Sequence, residues 1–246
     1  MTRIEHIDVG GRSIAYRLRR GNVPTLLFLP GYASDMEGAK AVALDAFADR
    51  HGVAMLRFDY SGTGSSAGSF ESGTLALWLE EALAALDQLT RGPVILIGSS
   101  MGGWIALHLA LLRPERVQAL VGIAAAPDFT AWGFTEEQKA ALARDGRIEE
   151  PNTYGPESHV VTRKFWESGE QLRLLDGEIA LDCPVRLLHG EVDQEVPVEV
   201  AFRLMRALRS SDVQLNVLKG GGHRLSEPHE IRAILATVET LLEPSA

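Results

Sequence analysis

Along the chain, strand-length runs rich in apolar residues alternate with longer segments whose apolar residues recur at helical spacing. Thr25–Leu29, Val53–Phe58, Val94–Ile97, Val117–Ala125, Val185–Leu188 and Val213–Leu218 are the short runs. Runs such as Thr25–Leu29 suit strands covered on both faces. Between them, Glu37–Arg50, Ser72–Leu89, Trp104–Leu112, Val198–Leu208 and Ile231–Leu242 read as helices. In Ser72–Leu89, for example, Leu75, Leu79, Leu83 and Leu86 fall on one helical face. Pro30-Gly31, Arg91-Gly92-Pro93 and Arg113-Pro114 supply stops. At the N-terminus, His6–Val9 and Arg12–Leu18 flank Gly10-Gly11, which predicts a hairpin, because glycines accept the positive φ of a tight turn. Strands alternating with helices predict an α/β fold: a mostly parallel sheet, helices on both faces, and an antiparallel hairpin at one edge.

One segment breaks the alternation. From Pro127 to about Leu175 no strand of the same kind appears, and Trp132, Phe134, Tyr154, Phe165 and Trp166 stand among charges, with Pro151 and Pro156. The expectation is a core of residues 1–126 and 176–246 and a lid of short helices over 127–175. Trp132, Phe134 and Trp166 are candidates to line a substrate pocket. The other reading is that they pack the lid onto the core.

Composition narrows the class. The 246 residues are 46% hydrophobic and 23% charged, enough for one domain with a full core. A formal net charge of -9 disfavours nucleic acid and anionic membranes as partners. No apolar stretch is long enough to span a bilayer. The N-terminus has no apolar signal region and carries Glu5 and Asp8, so a cytoplasmic protein is expected. The single cysteine, Cys183, precedes Pro184 and reads as a small buried hydrophobe. No Cys/His cluster has zinc-ligand spacing, so no metal is expected. Nothing in the pattern sets an oligomeric state.

The chemistry concentrates at Gly98-Ser-Ser-Met-Gly102, which follows one apolar run and precedes an apolar helix. Strand in, G-x-S-x-G, helix out is the setting of a nucleophile elbow. Its central Ser must sit on a strained turn, and a bulky residue two places away would clash with the neighbouring backbone. A serine before a helix also reads as an ordinary N-cap, but the strand and both glycines favour Ser100 as nucleophile. A serine hydroxyl needs a base, and in this setting the chain order is Ser, acid, His. Of seven histidines, His223 follows the last strand and Gly220–Gly222 and ranks first, with His229 second. His6, His51, His108 and His159 sit badly for the role, and His189 reads as packed. For the acid, Gly190–Pro197 offers Asp193 at mid-loop, with Glu191 and Glu195 as solvated charges and Asp128 as a rival elsewhere. An oxyanion hole needs two backbone N–H donors. Met101, after the nucleophile, is one candidate; Tyr32, in Leu29-Pro-Gly-Tyr32, is the other. The glycines of Asp59–Ser66 lack phosphate-loop spacing, and Asp59 is expected to bond nearby backbone.

Leu29–Tyr32, Arg57–Ser66, Gly98–Trp104, Cys183–Gly190 and His223-Arg224 together resemble the α/β-hydrolase superfamily. Within it they resemble the serine hydrolases related to a mammalian mitochondrial palmitoyl-protein thioesterase, also described as an acyl-glucuronide esterase. The matches run in order across nearly the whole chain except the lid. The resemblance implies Ser100, Asp193 and His223 as a triad, hydrolysis of S-acyl or O-acyl bonds of a small-molecule or acylated substrate, and no cofactor. Gly222 stands where it implies an acidic residue, which predicts a looser His loop. Two other functions fit the same motifs: C–C bond hydrolysis of dienoic ketoacid ring-cleavage products, and a non-catalytic hydrolase-fold binding protein.

Overall fold

A computed structural model describes residues 2–150 and 158–242. The chain opens on β1 (Glu5–Val9) and β2 (Arg12–Arg19), paired antiparallel around Gly10 and Gly11, whose φ angles are 59° and 83°. Then come β3 (Asn22–Leu29), α1 (Ala39–His51), β4 (Val53–Phe58), α2 (Leu75–Leu89), β5 (Val94–Ser99), α3 (Met101–Leu112) and β6 (Val117–Ile123). After an insertion, β9 (Val185–Gly190), α7 (Val198–Ala207), β10 (Val213–Leu218) and α8 (Pro228–Leu242) finish the chain. The main sheet has eight strands in the order β1-β2-β4-β3-β5-β6-β9-β10. Only the β1–β2 and β2–β4 pairings are antiparallel; the rest are parallel, as the alternating pattern predicts.

Each sheet face has its own core. Leu27, Leu29, Leu56 and Leu96 point to the face covered by α2, α3 and α7, with Trp78 and Trp104 buried there. Their chain neighbours Leu26, Phe28, Met55 and Ile95 point to the other face, under α1 and α8. This two-sided burial is why these strands read as apolar runs rather than alternations. Cys183 is only half-buried.

Helix starts shift for local reasons. α2 begins at Leu75 rather than Ser72, because the Thr74 hydroxyl caps it by accepting from the Leu77 N–H. α8 begins at Pro228, three residues before the apolar pattern starts, since proline suits the first turn of a helix.

The insertion between β6 and β9 departs further from expectation. It holds α4 (Phe129–Trp132), α5 (Glu136–Asp145) and α6 (Arg163–Gln171), but also an antiparallel pair, β7 (Arg147–Glu150) with β8 (His159–Thr162). A segment expected to be helical throughout therefore contains a small separate sheet. Pro151, Tyr154 and Pro156 lie outside the described residues.

Candidate active site

Helix α3 starts directly after Ser100, which sits at φ 53° and ψ −119°. Positive φ is strained for a serine and persists only where the surroundings impose it. Here the Ser100 N–H donates to the Ile123 carbonyl at 2.9 Å, and its own carbonyl accepts from Gly103 and Ala126 at 2.9 and 3.1 Å. The glycines answer the crowding this causes. A Cβ on Gly98 would stand 2.3 Å from the Gly102 carbonyl oxygen, and one on Gly102 would stand 2.1 Å from that of Leu29.

The loops after β9 and β10 bring two partners to this turn. His223 Nε2 lies 3.1 Å from Ser100 Oγ, and His223 Nδ1 lies 2.9 Å from Asp193 Oδ2. An ionised carboxylate only accepts, so Nδ1 carries the hydrogen and Nε2 is left to accept from the serine hydroxyl. The other Asp193 oxygen accepts from the Glu195 and Val196 N–H groups, both at 2.9 Å. Burial alone would push this carboxyl up. The hydrogen bond and charge of His223, with those two N–H donors, outweigh it and hold Asp193 below the usual carboxylate range.

The glycine run before His223 is hydrogen-bonded to the loop after β9 at two points. The Glu191 carboxylate accepts from the Gly220 N–H at 2.9 Å, and the Val192 N–H donates to the Gly221 carbonyl at 3.0 Å. On the other side of His223, the Lys40 ammonium donates to the Arg224 carbonyl. Burial, reinforced by the Arg224 charge and opposed by Glu230, pushes Lys40 down to about 8. Glu191, read from the sequence as a solvated charge, is thus part of the loop's support. Lys40 had no sequence signal beyond its place at a helix start.

The rival residues hold other partners, although His189 Nε2 also comes within 3.5 Å of Asp193 Oδ2. Asp128 is buried and accepts from the Leu174 and Leu175 N–H groups at 2.8 and 2.7 Å, which ties down the end of the insertion. His189 is buried and donates from Nε2 to the Val196 carbonyl at 2.8 Å. His229 is exposed at the start of α8. Asp59 accepts from the Met36 and Ser65 N–H groups, both at 2.7 Å, as expected of a loop-bracing carboxylate.

Met101 opens α3, so its N–H has no carbonyl one turn back in the helix and stands at the positive end of the helix dipole. Gly31 packs on the Ser100 turn: a Cβ there would be 3.3 Å from Ser100 Cβ. Tyr32 follows it. The Tyr32 hydroxyl donates to the Val160 carbonyl of β8 at 2.8 Å, and its ring lies 4.9 Å from those of Phe70 and Phe165. The loop after β3 is therefore fastened to the insertion.

Two cavities meet at Tyr32, Ser100, Glu195 and His223. One, of about 350 Å³, has apolar walls from Phe129, Trp132, Phe134 and Val161. The other, of about 450 Å³, is polar, with Ser34, Asp35, Lys40 and Ser226. Trp132 and Phe134 line the apolar cavity. Trp166 does not: its indole N–H donates to the Thr130 carbonyl at 3.2 Å and its ring packs on the core. Phe129, which the sequence reading passed over, takes that place. Among the described residues, no group of three or more His, Cys, Asp or Glu could hold a metal ion, and no helix is long and apolar enough to cross a membrane.

Comparison with known proteins agrees with the fold. A family model described as alpha/beta hydrolase fold matches residues 24–147. The human mitochondrial palmitoyl-protein thioesterase ABHD10 is 38% identical over 235 residues, covering 94% of this chain and 77% of that protein. Its name is mitochondrial, whereas the sequence alone suggested a cytoplasmic protein. The structure of mouse alpha/beta hydrolase domain-containing protein 10 superposes with a TM-score of 0.91 at 36% identity, covering 98% of each chain. A crystal structure from Agrobacterium vitis S4 gives 0.92 at 40% identity, covering 99% of each.

Proposed function

The chain belongs to the alpha/beta hydrolase fold family, and from that premise we propose that it is a serine hydrolase of carboxylic esters or acyl thioesters working through an acyl-enzyme. The observation that carries this reading is the continuous hydrogen-bonded chain from Ser100 through His223 to Asp193 on a strained turn. In this reading His223 Nε2 takes the Ser100 proton as Oγ attacks the acyl carbon. It then gives that proton to the leaving heteroatom. Asp193 holds the tautomer and stabilises the imidazolium. The backbone N–H groups of Tyr32 and Met101 receive the oxyanion. The acyl group enters the apolar cavity, with Trp132 and Phe134 on its wall and the insertion between β6 and β9 as its lid. The palmitoyl-protein thioesterase name of the human relative supports acyl transfer to water as the reaction class.

A substrate panel tests this. Fatty-acyl esters, S-acyl thioesters and a dienoic ketoacid ring-cleavage product are supplied to the purified protein, and kcat/KM is measured for each. Turnover of the esters and thioesters is expected. Turnover of the ketoacid alone would contradict the reading.

A further inference from the structure

Glu195 has a place in the site that the acid, base and nucleophile do not explain. Its Oε2 lies 3.7 Å from His223 Nε2, the nitrogen that faces Ser100. The side chain is 44% exposed and lines both cavities where they join. Its backbone is fixed by the same carboxylate that orients the histidine, since the Glu195 N–H donates to Asp193 Oδ1. A separation of 3.7 Å is too long for a direct hydrogen bond but short enough for one water to bond to both atoms.

We propose that Glu195 positions the water that hydrolyses the acyl-enzyme. The inference rests on the acyl-enzyme reading above. One hydrogen of that water bonds to the Glu195 carboxylate and the other to His223 Nε2, which leaves an oxygen lone pair for the acyl carbon. In the step itself the water oxygen forms a bond to that carbon while its proton passes to Nε2. The tetrahedral intermediate then collapses, breaking the bond to Ser100 Oγ, and Nε2 returns the proton to that oxygen. The carboxylic acid product departs. Glu195 accepts a hydrogen bond throughout and neither gains nor loses a proton. Acylation, in which no water takes part, does not need it.

This separation of the two half-reactions gives the test. With a p-nitrophenyl ester, stopped-flow measurement resolves the release of p-nitrophenol from the later turnover of the acyl-enzyme. In Glu195→Leu the acylation rate and kcat/KM are expected to stay within about threefold of wild type, while deacylation slows roughly tenfold to a hundredfold, as lost positioning commonly costs. KM then falls with kcat, and acyl-Ser100 accumulates to a level visible in the intact-protein mass. Glu195→Gln, which keeps an acceptor oxygen, is expected to recover part of the deacylation rate. Equal slowing of both half-reactions, or no change in either, would overturn the role given to Glu195. A wild-type protein that forms no acyl-enzyme at all would overturn the acyl-enzyme reading itself.

Discussion

Replacing His223 by alanine is expected to lower kcat by a factor on the order of 10⁵, with KM little changed. At about 1.4 kcal/mol per tenfold, that is roughly 7 kcal/mol of transition-state stabilisation. So large an effect follows from the hydrogen-bonded chain. Ser100 Oγ is 3.1 Å from Nε2, and without that acceptor the hydroxyl has no base for its proton. In the proposed mechanism base and nucleophile act as a unit, so combining Ser100→Ala with His223→Ala is expected to cost no more than either change alone. The comparison variant is His229→Ala. Its ring is exposed at the start of α8, and its loss is expected to leave the rate unchanged. A crippled His229→Ala with an active His223→Ala would contradict the assignment of the base.

The second large effect falls on stability. Gly102→Ala places a methyl group 2.1 Å from the Leu29 carbonyl oxygen and 2.5 Å from that of Pro30. Both contacts are with backbone, which cannot swing aside as a flexible side chain would. Either α3 moves off the sheet or the loop after β3 moves. Both motions disturb the Ser100 turn and its neighbour Gly31. A loss of about 3 kcal/mol or more is expected by chemical denaturation, at the upper end of overpacking costs, together with loss of activity. Gly177→Ala is the control: no atom lies within 4 Å of its added methyl, so stability should hold within about 0.5 kcal/mol.

The fold was legible where burial makes the code simple. β3 and β5 are covered on both faces, so they show as uninterrupted apolar runs, and the elbow follows from the order strand, G-x-S-x-G, helix. The insertion was less legible. β7 and β8 have four residues each, too few for an alternation to stand out from the charges around them. The side-chain direction of Trp166 depends on how α6 packs, which spacing alone does not reveal. Asp193 and His223 could be ranked from their loops, because chain order in this fold limits the choices. Glu195 could not: a glutamate two residues from the acid looks like any solvated loop charge until the loop is folded and its carboxylate is seen beside Nε2. Lys40 likewise gains meaning only when the start of α1 meets the carbonyl of Arg224.

The central claim is that Ser100 is an activated nucleophile, and labelling with a fluorophosphonate probe tests it most directly. The probe reacts covalently with an activated serine and needs no knowledge of the substrate. Wild-type protein is expected to take up one probe, with the adduct mapped by peptide mass spectrometry to Ser100, and Ser100→Ala is expected to take up none. Labelling of Ser100→Ala to the wild-type extent, or an adduct mapped to any other residue, would contradict the account.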